Sequence, residues 1–177
     1  NYERGMRHYC GHFIRDGYSR NQPLDEVIVT PTTKGDVSDE LIDAEGIISS
    51  GLMTREEWEY CERKSLELFK YGQKVAEDFG MILVDTKYEF GKLPNGEIIL
   101  IDELHTCDSS RFWIKDTYLE RFNKNLEPEK LDKDVARDYI KKNFDIRNQS
   151  FLLPEEIKQK SSDAYLKYYS YLTNDKI

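Results

Sequence analysis

Several large classes of protein are excluded by what the sequence has little of. Cysteine is scarce: Cys10, Cys61 and Cys107 are three, an odd number, widely spaced and without a CxxC pair. That excludes a disulfide framework, argues against a cysteine-built zinc site, and suits reduced thiols in a cytoplasmic protein. Long apolar runs are missing too. Met81 to Val84 and Ile98 to Ile101 are the longest, far short of the ~20 residues of a membrane helix, so no membrane partner is expected. Basic residues do not dominate: 26 Lys and Arg stand against 34 Asp and Glu, a net charge of -8. A chain this acidic lacks the basic footprint that phosphate backbones require, which argues against nucleic acid as a partner. The opening Asn1-Tyr2-Glu3-Arg4-Gly5 has neither an initiator Met nor an apolar signal core, and the expectation is a chain that begins inside a longer protein.

What is present suffices for one domain or one lobe of a larger enzyme. A length of 177 residues can bury roughly 70% of its unfolded surface. The composition is polar, with a mean hydropathy of -0.73. Twelve Tyr, eight Phe and two Trp nonetheless supply large buriable surfaces and argue against disorder.

The chain changes character near residue 50. Before it, Gly5, Gly11, Gly17, Pro23, Pro31, Gly35 and Gly46 punctuate short extended runs, as expected for loops and short strands. After it, Thr54-Arg55-Glu56-Glu57 reads as a capping box. Trp58, Cys61, Ser65, Leu68, Gly72, Val75 and Phe79 follow at helical spacing, and Gly80 closes the helix. The small Ser65 and Gly72 would admit another element closely. A hairpin is expected next, with Met81 to Phe90 and Glu97 to Leu104 as its strands and Lys92-Leu93-Pro94-Asn95-Gly96 as its turn. Two further helices are expected, over Pro128 to Phe144 and Pro154 to Leu172, the second with Ile157, Ala164, Tyr165, Tyr168 and Leu172 on one stripe. The fold class is therefore α+β, an antiparallel hairpin or sheet packed with long helices. Residues 1–50 form a loop region and 51–177 a catalytic lobe, together one domain.

Chemistry concentrates in the hairpin. Asp85, Lys87 and Glu89 alternate and would share a strand face. On an ordinary surface strand they would be a solvated charge ladder. Here the turn at 92–96 also brings Asp102 to the Lys87 and Glu89 end. Hard carboxylates beside a lysine suit Mg²⁺ together with a phosphorylated ligand. Asp85-Thr86-Lys87 followed by Asp102 also has the layout of the protein-kinase catalytic half, although HRD, DFG and APE are absent. Next, Asp108-Ser109-Ser110-Arg111 offers hydroxyls and a guanidinium fork suited to phosphate or carboxylate, with an ordinary turn as the alternative. His105 and Cys107 could share a face, but nothing else supports covalent chemistry. Thr30 to Lys34, then Ser38-Asp39-Glu40, is either an anion-binding loop or plain surface.

Together these motifs carry a resemblance. Val84-Asp85-Thr86-Lys87-Tyr88-Glu89-Phe90-Gly91 and Ile101 through Trp113 resemble the two signatures of the SAICAR synthetase family. Thr30 to Lys34, Tyr9-Cys10-Gly11 and Leu126-Glu127-Pro128 extend the likeness along nearly the whole chain. The resemblance implies an ATP-dependent ligase of purine biosynthesis with a distantly kinase-like C-terminal lobe. Its substrates would be carboxyaminoimidazole ribotide and L-aspartate, joined through an acyl phosphate, with ATP and Mg²⁺ as cofactors. It implies metal ligation beside ATP by Glu89 and Asp102, and catalytic roles at the phosphoryl-transfer centre for Asp85 and Lys87, the latter also touching ATP. Arg111, with Asp108, Ser109 and Ser110, would grip the ribotide phosphate, and Lys34 and Asp39 would face the substrates. Ser38 stands where a family His is common, and Cys107 where Pro is usual, which affects loop shape more than charge. The family's Gly-rich N-terminal ATP-binding lobe is not among the 177 residues, so little ATP binding and no product are expected from them alone. A kinase-like small-molecule phosphotransferase and a non-catalytic fragment are the alternatives, and a homo-oligomer is left open.

Overall fold

The computed structural model describes residues 2–34, 39–145, 152–173 and 175. Ser38, singled out above, lies outside them. The chain forms two compact units, residues 1–68 with 92–98, and residues 69–91 with 99–177. The division falls within a long helix rather than at residue 50.

The first unit holds short pieces, as its glycine and proline content led us to expect. Strands β1 (His8–Tyr9) and β2 (His12–Phe13) pair antiparallel, as do β3 (Thr32–Thr33) and β4 (Glu40–Leu41). Helix α1 (Ala44–Ser49) is capped by Asp43, whose Oδ1 accepts the Gly46 N–H at 2.8 Å. Helix α2 (Arg55–Asp78) begins with the expected capping box. Thr54 N–H donates to Glu57 Oε2 at 2.8 Å and Glu57 N–H to Thr54 Oγ1 at 3.3 Å, so the two residues satisfy each other's orphan amides. Ile47, Trp58 and Cys61 are its buried apolar residues.

The second unit contains the main core. Phe69 and Ala76 from α2 join Met81, Leu83, Phe112, Ile114 and Leu131, with Phe79, Tyr88, Tyr168, Tyr171 and Leu172 packed around them. Gly80, at φ +74°, ends α2 and accepts a left-handed conformation that a side chain would resist.

Pairing differs from the expected single hairpin. Strand β5 (Met81–Thr86) pairs with β8 (Ser110–Ile114), while β6 (Phe90–Lys92) pairs with β7 (Ile98–Leu100). The 92–96 turn is as expected, with Gly96 N–H donating to the Leu93 carbonyl at 2.9 Å and Gly96 at φ +89°. The chain changes partners between Thr86 and Phe90, so Asp85, Lys87 and Glu89 do not lie on one continuous strand. The reason is burial: β5 shows Met81 and Leu83 to the core, and β8 answers with Phe112 and Ile114, whereas Ile101 is 57% exposed. The deeper apolar strand wins the pairing.

After β8 come helices α3 (Lys115–Asn123), α4 (Asp134–Asn143) and α5 (Glu155–Thr173). α5 matches its expected span, with Ala164 buried on the stripe and Tyr165 partly exposed. α4 starts six residues later than expected because 129–132 runs extended along the free edge of β8. Ile114 N–H donates to the Glu129 carbonyl at 3.0 Å and Leu131 N–H to the Phe112 carbonyl at 2.9 Å. Among the described residues no helix is long and apolar enough to cross a membrane.

The small residue at Gly72 has the use its spacing suggested. A Cβ there would lie 2.3 Å from His105 Cε1. His105 sits at φ +53°, its Nε2 meets the Tyr88 hydroxyl at 2.5 Å, and its carbonyl accepts Tyr168 Oη–H at 2.7 Å. Ring and carbonyl together therefore pin the 101–109 loop to α2 and α5, a structural task and not a nucleophile's base. Gly72→Ala should displace it and cost about 1–3 kcal/mol, read as a melting temperature lower by roughly 3–10 °C. An unchanged melting curve would mean the ring is not held there.

Candidate functional site

A register shift builds the site. Met81, Ile82 and Leu83 lie opposite Ile114, Trp113 and Phe112, after which Asp85 lies opposite Arg111 and Thr86 opposite Ser110. Val84 is the extra residue. Without this bulge Asp85 would face Ser110, and Arg111 would face a valine. Bulges re-aim side chains in this way. The result is a cross-strand carboxylate–guanidinium pair, Asp85 with Arg111 Nη1.

Beside it opens a cleft of about 330 Å³ lined by Asp85, Thr86, Lys87, Asp102, Glu103, Asp108, Ser109, Ser110 and Arg111, together with Asp132, Lys133, Asp134 and Arg137. That volume is at the lower end for ligand sites, enough for a phosphate-bearing portion of a ligand. Seven of the expected site residues thus share one cleft. Glu89 reaches it through Lys87, with which it is ion-paired. Ile101 N–H donates to the Glu89 carbonyl at 2.9 Å, so Glu89 and Asp102 leave neighbouring chain segments, as the hairpin turn implied. Lys34 and Asp39 belong to the first unit.

The loop carrying Asp108 to Ser110 is held by hydroxyls. Thr106 Oγ1 accepts the N–H groups of Asp108 at 3.3 Å and Ser109 at 3.0 Å, and the Thr86 and Ser110 hydroxyls meet at 2.8 Å. Lys133 Nζ lies 3.3 Å from Asp108. Burial pushes the Cys107 thiol up, away from the thiolate form that a nucleophile needs.

The carboxylates behind Arg111 escaped the sequence reading. Asp132 is fully buried at 0% exposure. Its Oδ2 accepts the Phe112 N–H at 3.0 Å, standing in for a strand neighbour, and its Oδ1 accepts the Asp134 N–H at 2.8 Å. Burial pushes the Asp132 carboxyl up, against the pull of those two N–H bonds. Asp134 in turn accepts from Arg111 Nε at 2.5 Å and from Arg137 Nη1 at 2.9 Å. Burial alone would raise it, but the Arg111 hydrogen bond and the nearby cations hold it below the usual range. Burial likewise lowers Arg111, and Asp134 and Asp85 more than reverse this. A signal existed: Leu131-Asp132-Lys133-Asp134, with Arg137 one turn on, is a dense charge cluster at a helix start.

Among the described residues no group of three or more His, Cys, Asp and Glu is arranged to hold a metal ion. Glu89 and Asp102 offer hard carboxylate donors on neighbouring chain segments. Donors of that type fit Mg²⁺, which takes one or two protein carboxylates and completes its shell with waters and phosphates.

Fold and cleft define an α+β domain whose cleft gathers carboxylates, lysines and arginines. The family model for SAICAR synthetase matches residues 4–151, and the chain belongs to that family. It is 43% identical over 178 residues to a chloroplastic phosphoribosylaminoimidazole-succinocarboxamide synthase of Arabidopsis thaliana, covering 99% of this chain and 43% of the relative. The synthase of Legionella pneumophila (strain Lens) is 40% identical over 176 residues, covering 98% of this chain and 56% of the relative. Among solved structures, the SAICAR synthase of Saccharomyces cerevisiae complexed with SAICAR superposes with a TM-score of 0.73 at 28% identity, covering 94% of this chain and 53% of that one. A type-2 SAICAR synthetase in complex with ADP gives 0.66 at 26% identity, covering 93% and 61%. The chain thus spans about half the length of the curated relatives it matches.

Asp132→Ala would leave the Phe112 and Asp134 N–H groups buried without acceptors. At ~1–3 kcal/mol each, the expected loss is about 3 kcal/mol, measured by urea unfolding. A loss below about 1 kcal/mol would contradict this account.

Proposed function

We propose that this chain carries part of the active site of an ATP-dependent carbon–nitrogen ligase of purine biosynthesis. The reaction joins carboxyaminoimidazole ribotide and L-aspartate to give SAICAR, ADP and phosphate. The observation that carries the reading is the convergence of Asp85, Lys87, Asp102 and Arg111 on one cleft in a member of this family. The solved relatives named with bound SAICAR and bound ADP support it. A cytoplasmic setting goes with this reading, in line with the free thiols of Cys10, Cys61 and Cys107.

In chemical terms, the ribotide carboxylate takes the γ-phosphoryl group of ATP and releases ADP. The aspartate nitrogen then attacks the acyl carbon, phosphate leaves, and the nitrogen loses its proton. Glu89 and Asp102 would hold Mg²⁺, which when bound supplies charge neutralisation to the phosphates. Lys87, kept in place by Glu89, meets the charge that builds on the transferred group. Arg111 presents its planar fork to the ribotide phosphate, with Ser109 and Ser110 beside it. Asp85 lies at the junction of these two tasks, bridged to Arg111 and two residues from Lys87. Lys34 and Asp39 are assigned to substrate contact.

Two substitutions in the whole enzyme test the assignment. Asp102→Asn keeps size but removes a hard ligand, and turnover should fall at least about 10²-fold with the fold intact. A near-normal rate would remove Asp102 from the metal site. Arg111→Lys keeps charge but loses the fork, so KM for the ribotide should rise about tenfold, the scale of one charge-assisted hydrogen bond, while KM for ATP stays nearly constant. Equal effects on both substrates would place Arg111 elsewhere.

A further inference from the structure

We propose that Asp134 is the positioning residue of Arg111, and that Asp85 is its exchangeable partner, displaced when a sugar phosphate takes the guanidinium. The inference rests on the reading of Arg111 as the phosphate-gripping residue and extends it to residues that no motif covered.

The two carboxylates on Arg111 differ in kind. Asp134 takes Nε at 2.5 Å from a side chain only 9% exposed. Asp85 takes Nη1 from a side chain 52% exposed. Asp134 is also tied to Arg137 at 2.9 Å, and its own N–H is held at 2.8 Å by the fully buried Asp132. Asp132 is in turn fastened to the Phe112 N–H at 3.0 Å, on the residue next to Arg111. The clamp is therefore built into the edge of β8. Separating it would strand a carboxylate away from water, whereas the Asp85 contact can be traded for solvent at little cost. A guanidinium has five N–H donors, and among the described residues only these two hydrogen bonds of Arg111 are found. Nε is the donor that fixes the plane of the fork. With it held by Asp134, the outer edge is aimed into the cleft, where a phosphate and Asp85 compete for the same side. Arrival of the phosphate would then release Asp85 beside Lys87, where the proposed phosphoryl transfer occurs.

The signs of two substitutions separate this from simple charge effects. Removing any nearby carboxylate should strengthen phosphate binding if only net charge matters. Under the proposal, Asp134→Asn weakens it while Asp85→Asn strengthens it. The experiment titrates ribose 5-phosphate into the ¹⁵N-labelled whole enzyme, following amide shifts and the Arg111 Nε–H signal. Asp134→Asn should weaken binding at least tenfold and let Arg111 Nε–H exchange rapidly with solvent. Asp85→Asn should tighten binding and leave that signal protected, and Asp134→Glu should restore part of the affinity. Unchanged or tighter binding by a folded Asp134→Asn enzyme overturns the proposal. If that variant does not fold, Asp134→Glu decides, since it keeps the charge but moves the carboxylate by one methylene: weaker binding upholds positioning, and wild-type binding overturns it. Arg111→Lys with wild-type affinity, or no saturable binding by the unmodified enzyme, overturns the phosphate reading and this proposal with it. Dependence on Arg111 without dependence on Asp134 overturns the positioning role alone.

Discussion

The antiparallel ladder between β5 and β8, with its one-residue slip at Val84, is the constraint on which the rest depends. Its inward side chains, Met81, Leu83, Phe112 and Ile114, are the centre of the apolar core. Its slip sets Asp85 against Arg111 at the mouth of the cleft. Side chains alternate strictly along a strand, so a slip of one residue exchanges the core face and the solvent face. Four large apolar residues hold the first half of the ladder in register, and the bulge then re-aims the second half without disturbing them. The core and the lining of the cleft are thus built by successive stretches of the same two strands.

Around this ladder the functional groups are carried by irregular segments that are nonetheless held firmly. The 101–109 loop is pinned through His105, lodged where Gly72 has no side chain and tied to Tyr88 and Tyr168. The start of α4 is pinned through Asp132, whose carboxylate completes the edge of β8. Loops that bear chemistry need such supports, since their backbone has no ladder of its own. Here the supports are buried or half-buried polar groups with satisfied partners, which specify one arrangement more strictly than apolar contacts would.

The electrostatics of the cleft follow from the same plan. It gathers Lys87, Arg111, Lys133 and Arg137 among six carboxylates. The cations are each paired with a carboxylate: Lys87 with Glu89, Arg111 with Asp85 and Asp134, Lys133 with Asp108, and Arg137 with Asp134. Paired in this way, the charges are oriented before any ligand arrives, which is the condition for stabilising charge that appears only during reaction. Under the proposed function, a phosphorylated ligand with a divalent cation would replace some of these pairings rather than enter an unbalanced field.

By itself the sequence determined the local elements and the chemistry. The capping box at Thr54 and Glu57, the helical spacing from Trp58 to Phe79, the Gly80 stop and the 92–96 turn are short-range features, decided by residues within a few positions of one another. The motifs from Val84 to Gly91 and from Ile101 to Trp113 likewise named the family, because residue identity survives in a linear string. Tertiary structure alone decided the pairing of β5 with 110–114, the bulge at Val84, and the extended run of 129–132 where a helix was expected. It also brought in Asp132, Asp134 and Arg137. The physical reason is that strand partners are chosen by which apolar faces can be buried together, a comparison between segments some thirty residues apart that hydrophobic alternation along either one cannot express. The carboxylates that hold Arg111 are visible in the string as charges. Only burial of the β8 edge turned them into a clamp.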